Sequence, residues 1–175
     1  VVYARTRDAQ GKEILDSATV QPNLAESWKV DADGKRYVFK LREGVKSFRG
    51  NELTAADVEW SWAKSFAQKR TGNFIASVSS VTGVKAISKY EVEFTLSAPS
   101  SIFLKALTLY TPGIYDTTEV KKHVTADDPW ALKWIDQNTA AFGAYHLQEL
   151  RPNEQAVFVA NPNYFGGKPF YDRVV

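Results

Sequence analysis

The side chains able to do catalysis or hold a metal are few, and their spacing does not combine them. The two histidines, His123 and His146, belong to no HExxH or HxH pattern, so neither gains a second nitrogen ligand nearby. His146 alternates with Tyr145 and Leu147 and reads as a solvent-facing or hydrogen-bonded structural residue. The absence of cysteine excludes a thiol nucleophile, thiolate metal sites and a disulfide scaffold, and leaves the compartment open. Glu91 and Glu93 share the solvated face of an alternating segment, unlike the poised carboxylate pair of a glycosidase. Asp127 and Asp128 precede Pro129 and read as helix caps.

Phosphate and nucleophile motifs are also missing: there is no GxSxG, GxxxxGK[ST] or GxGxxG. Gly166-Gly167-Lys168-Pro169 has no following helix to offer a dipole and reads as a turn. Asp31-Ala32-Asp33-Gly34 invites comparison with a calcium loop. An EF-hand started at Asp31 would put Arg36 where its glycine belongs and Arg42 where its closing glutamate belongs, so the segment reads as a hairpin turn. The expectation is therefore no catalytic residue, no metal ligand, no cofactor and no enzyme.

The elements that would position any site are legible from periodicity. Tyr37, Phe39 and Leu41 share one face of a hairpin with Trp28-Lys29-Val30. Thr54 caps a helix running to about Lys69, with Asp57 completing a capping box. On that helix Val58, Trp62 and Phe66 form one apolar stripe and Ala56, Trp60, Ala63 and Ala67 a second, which leaves Asp57, Ser61, Lys64 and Gln68 as the wet face. Its two tryptophans suit core packing, with sugar or base stacking as the alternative. A second hairpin joins Val84–Ile87 to Glu91–Leu96, and a third joins Tyr145–Leu150 to Ala156–Ala160. Thr6–Gln21 reads as a surface hairpin or loop. Ser100 caps a short helix carrying Phe103, Leu104 and Leu107, and a helix runs from Asp127 to about Asn138. Three hairpins with three or four helices make an α+β unit of small, mostly antiparallel sheets.

Composition narrows the partners. The 175 residues are 44% hydrophobic and 13% aromatic, which rules out disorder. The 22 basic and 20 acidic residues leave +2, without like-charge blocks, so no nucleic-acid footprint is indicated. No apolar run approaches the roughly 18 residues of a membrane span, and residues 1–20 show no signal-peptide pattern. Methionine is absent altogether, from which a processed or excised piece is expected.

Four segments carry a resemblance. They are Pro22-Asn23-Leu24-Ala25-Glu26-Ser27-Trp28 with its hairpin ending Phe39–Lys46, then Leu53–Val58, then Phe142-Gly143-Ala144-Tyr145, then Asn161-Pro162-Asn163-Tyr164-Phe165-Gly166-Gly167-Lys168-Pro169. In this order and spacing the chain resembles the family 5 extracellular solute-binding proteins, the peptide, dipeptide and nickel receptors of ABC importers. Ala144 departs from the Gly-Pro-Tyr common in that family. The resemblance implies a fragment of a two-lobed, class II periplasmic-binding-protein-like fold, lying at the periplasm or cell surface. Residues 1–175 would form one unit, with an inserted small domain at about 45–140 and fringes of the first lobe at 1–44 and 141–175.

The implied function is capture of peptides or similar small solutes and delivery to an ABC permease, by a monomeric segment without nucleic-acid partners. By position along the pattern, the implied cleft edge comprises Arg70 and Phe74 in a loop after the long helix, with Tyr110 and Thr111 after the short one. Arg70 would pair a carboxylate, Phe74 offer an apolar wall and Tyr110 a ring with a hydroxyl. The plainer alternative makes Phe74 core and Arg70 a helix-end cation. From a different class, a stand-alone protein- or carbohydrate-interaction module with an aromatic surface also accounts for the tryptophans and tyrosines.

Overall fold

Alternation of apolar and polar residues builds the central element, a four-stranded antiparallel sheet in the order β3-β4-β6-β5. Its strands are β3 (Ala25–Val30), β4 (Arg36–Leu41), β5 (Val81–Ala86) and β6 (Glu91–Leu96). This computed structural model describes residues 1–69, 71–109 and 113–175, with positions 71 and 72 described by backbone alone. Tyr37 opposes Phe94 and Phe39 opposes Val92, so the aromatic faces of two hairpins merge into one buried surface. On the other face Arg36 pairs with Glu93 at 2.6 Å and Lys40 with Glu26 at 2.7 Å, which keeps that side in water. The turn between β3 and β4 uses Gly34 at φ 67°, and Asp33 accepts the Lys35 amide at 3.1 Å.

Helix α1 (Ala55–Gln68) packs on the apolar face of the sheet. The Thr54 backbone N–H donates to the Asp57 carboxylate at 2.7 Å, as the capping box requires. Val58 and Trp62 reach the core, where Trp62 meets Phe94 edge-on at 5.2 Å. Phe103, on the short helix α3 (Phe103–Ala106), closes the same cluster against Tyr37 at 4.6 Å. Flanking the sheet are the hairpin β1 (Val2–Arg7) with β2 (Glu13–Gln21) and a three-stranded sheet β7-β8-β9. The latter comprises Tyr145–Arg151, Gln155–Ala160 and Arg173–Val174.

Several expectations need correction. The stretch following α1 is helical, α2 (Thr71–Val78), because Ile75 and Ala76 are drawn into the core. No side chain caps α3: Ile102 holds the cap position, and Ser100 contributes only its carbonyl to Phe103 N. The helix expected from Asp127 to Asn138 shrinks to α5 (Leu132–Ile135), since Ala131 takes a left-handed φ of 50°. Asp128 is nevertheless a cap, accepting the amides of Leu132 at 2.8 Å and Lys133 at 3.0 Å. With α4 (Thr117–Val120), the described residues hold five α-helices and four hairpins, still an α+β unit.

The largest correction concerns α1. Asp57, Ser61 and Lys64, assigned to the wet face, are buried, while Ala56, Ala63 and Ala67 face solvent. The polar face is covered by the segment at Tyr115–Thr117, where the Tyr115 amide donates to Ser61 and the Thr117 amide and hydroxyl to Asp57, while Lys64 reaches Gln68 and the Tyr115 hydroxyl. The pairing of β4 with β6 also places residues on both sides of position 45 in one sheet.

Candidate functional site

Of the four residues assigned to a cleft edge, Arg70, Tyr110 and Thr111 lie outside the described residues. Phe74 can be placed: it stands on α2 with 63% of its surface exposed, so it is not core. Val78, one turn further on, is exposed as well, while Ile75 and Ala76 are buried on the opposite side. The helix is thus apolar on both sides, with one of them open.

The segments that carry the resemblance, far apart in sequence, converge in space. Asn163 Nδ2 donates to the Ser47 carbonyl at 3.1 Å, tying the last segment to the loop after the first hairpin. Asn161 Nδ2 donates to the Gly143 carbonyl at 3.0 Å, and Arg42 Nε donates to the Asn23 carbonyl at 3.3 Å. The Arg42 guanidinium also lies 5.6 Å over the Phe165 ring. Around this junction two adjoining apolar clefts, of about 230 and about 220 Å³, share Asn23, Leu24 and Ile114. Phe39, Trp62 and Phe94 floor the first, while Phe142 and Phe165 line the second. Each segment was singled out from the sequence, yet local periodicity holds no signal that they meet.

Beside the clefts lies a buried polar frame. The Asp57 carboxylate accepts the amide and hydroxyl of Thr117 at 2.9 and 2.7 Å on one oxygen, and those of Thr54 at 2.7 and 2.9 Å on the other. The Ser47 hydroxyl donates to Asp116 at 2.6 Å, and Asn51 Nδ2 donates to the same oxygen at 2.9 Å. Glu119 is held by Lys122 at 2.8 Å, with His123 and Arg49 each at 3.3 Å. Hydrogen bonding from Lys122, followed by the His123 contact and the Arg49 charge, keeps its carboxyl below the usual range. His146 accepts the Thr139 hydroxyl or donates to it at 2.8 Å and stacks on Phe48 at 4.1 Å. Burial, with a smaller push from Arg49, lowers its pKa. This is the hydrogen-bonded structural alternative for that histidine.

Among the described residues, no buried side-chain polar atom lacks a partner, and no three His, Cys, Asp or Glu residues cluster as a metal site. The frame therefore offers rigidity and shape, with its polar groups committed to one another. None of the tryptophans forms an exposed platform: Trp62 is buried, and Trp60 is wedged edge-on against Tyr115 at 6.1 Å and Trp130 at 5.3 Å.

One half-buried carboxylate gives a pH test of the local fold. Glu52 accepts the Tyr90 hydroxyl at 2.7 Å and the Lys89 ammonium at 2.9 Å, which together depress its pKa from 4.5 to about 2. A carboxyl whose folded pKa is depressed contributes stability that is present above its unfolded value of 4.5 and lost as pH falls through about 2. Thermal melts between these limits should show Glu52→Gln losing less stability on acidification than the parent chain. Parallel acid limbs would contradict the assigned pairing.

Residues 19–175 match the family model described as bacterial extracellular solute-binding proteins, family 5, middle. The probable D,D-dipeptide-binding periplasmic protein of Escherichia coli K12 is 33% identical over 160 residues, covering 90% of this chain and 30% of that protein. The nickel-binding periplasmic protein of the same organism is 30% identical, covering 89% and 29%. The binding protein MoaA from A. tumefaciens R10, solved with mannopinic acid, superposes with a TM-score of 0.74 at 27% identity, over 99% of this chain and 33% of that one. The chain thus spans about 30% of the length of these curated relatives and has the fold of part of a two-lobed periplasmic binding protein. With its motif segments gathered at one junction and the family model matched from residue 19 to residue 175, the chain belongs to the family 5 bacterial extracellular solute-binding proteins.

Proposed function

We propose that the chain is part of the substrate-binding component of an ABC importer, which captures peptides or similar small solutes outside the cytoplasmic membrane and delivers them to a permease. The observation that carries this reading is the family match over residues 19–175. Relatives of nearly equal identity are named for a D,D-dipeptide and for nickel, so this segment does not by itself select the ligand. Its committed hydrogen bonds and apolar clefts fit a scaffold, with affinity arising when lobes close and remove the solute from water. The periplasmic relatives favour a location outside the cytoplasm, and no helix among the described residues is long and apolar enough to cross a membrane. Relatives named for binding solutes favour a role without bond chemistry.

Arg70, Phe74, Tyr110 and Thr111 are retained as the cleft edge of this reading, supported by the open face of Phe74. The division into an insert at about 45–140 flanked by lobe fringes at 1–44 and 141–175 is also retained; the pairing of β4 with β6 joins strands from both sides of position 45 in one sheet. The test is calorimetric titration of the longer receptor containing this segment with a panel of di- and tripeptides. Saturable binding, weakened several-fold by Phe74→Ala without loss of thermal stability, is expected. Absence of binding to every peptide would overturn the peptide assignment, and unchanged affinity in Phe74→Ala would remove that residue from the cleft.

A further inference from the structure

We propose that residues 114–140 form a strap that opens as one unit while the four-stranded sheet stays folded. The excursion closes at its own neck: Tyr115 bridges Ala141, and the Asp116 amide donates to the Ala140 carbonyl at 2.9 Å. A segment whose ends are joined in this way can detach without pulling on the chain to either side. It also carries its own small apolar centre, made of Val120, Ala131 and Ala140 and separate from the main core.

Ile114, at the edge of the strap, packs against the main core; the rest of what fixes the strap is mostly polar. Thr117 binds the Asp57 carboxylate through its amide and hydroxyl, and the Tyr115 amide donates to the Ser61 hydroxyl at 2.9 Å. Asp116 receives the Ser47 hydroxyl at 2.6 Å. From α1, Trp60 meets Tyr115 and Trp130 at the apolar centre of the strap, and the Lys64 ammonium lies 4.7 Å over the Tyr115 ring. The sheet, by contrast, is held by an aromatic cluster of Tyr37, Phe39, Phe94 and Phe103 in mutual contact.

Little apolar area therefore resists opening of the strap, and hydrogen bonds that water can replace supply the rest. That is the makeup of a low-stability cooperative unit. Each buried carboxylate in the seam has its partner across the joint, so breaking one contact exposes the others and opening becomes all-or-none.

Native-state hydrogen exchange on residues 1–175 tests this. The amides of Asp116, Val120 and Ile135 are bonded within the strap, and that of Leu41 is bonded to Tyr90 O in the sheet region. The strap amides should converge on one opening reaction as denaturant is added, at least about tenfold more frequent than the opening that exposes Leu41. Thr117→Val and Ser47→Ala, which each remove one hydroxyl pin, should speed exchange of all three strap amides together, by roughly five- to thirtyfold, with Leu41 little changed. Exchange of strap and sheet amides through a single common opening would overturn the proposal. So would acceleration confined to the residues next to each substitution.

Discussion

Replacing Asp57 with alanine is expected to destabilise the fold by about 3–4 kcal/mol. The carboxylate is only 3% exposed and accepts four hydrogen bonds, two from Thr54 and two from Thr117. Alanine would strand the amide of Thr117 in a buried seam and remove the cap of α1 at the same time. A cap alone is worth roughly 1 kcal/mol, so a loss of only that size would mean that the seam is hydrated and the contact with Thr117 idle. Asp57→Asn provides the finer comparison. It keeps an acceptor for one side but must point an amide donor at Thr54 or Thr117, so it should fall between the parent and alanine in denaturant melts.

Trp62→Ala is expected to cost about 3–5 kcal/mol, toward the upper end of that range. Trp62 is 1% exposed, meets Phe94 at 5.2 Å and Phe66 at 5.7 Å, and already borders a cleft of about 230 Å³. Removing the indole would join its volume to that cleft, and β-strands paired in register on the other side cannot collapse to fill it. The same residue should give a strongly blue-shifted component of the tryptophan fluorescence, lost in the variant. A loss below about 1 kcal/mol would show the cluster to be loosely packed and the cleft to be continuous with solvent.

The hairpins were legible because period-two patterning and turn chemistry are local. Tyr37, Phe39 and Leu41 fall on the buried face where alternation puts them. Helix α2 was not legible: Gly72, Asn73 and the β-branched Ile75 and Val78 are weak helix formers, and burial of Ile75 and Ala76 overrides that propensity. The buried polar face of α1 escaped for a related reason. A helical wheel assigns Asp57 and Ser61 to solvent by type, whereas their partners, Thr117 and Tyr115, come from a part of the chain some 50 to 60 residues away. The left-handed Ala131 that shortens α5 has no signature, since glycine or asparagine would be the usual signal for that conformation. Of the candidate site, the motif segments could be recognised one by one, but their convergence through Asn161, Asn163 and Arg42 is a tertiary fact.

As proposed above, this segment serves as receptor scaffold, and solute affinity resides in closure of lobes that it forms only in part. Calorimetric titration of residues 1–175 alone, run beside the longer receptor with the same di- and tripeptides, tests it most directly. The expected result is saturable heat for the longer chain and none for the segment at concentrations up to about 1 mM, a limit equivalent to roughly 4 kcal/mol of binding. Micromolar binding by residues 1–175 alone would contradict it, because the segment would then hold a complete ligand site.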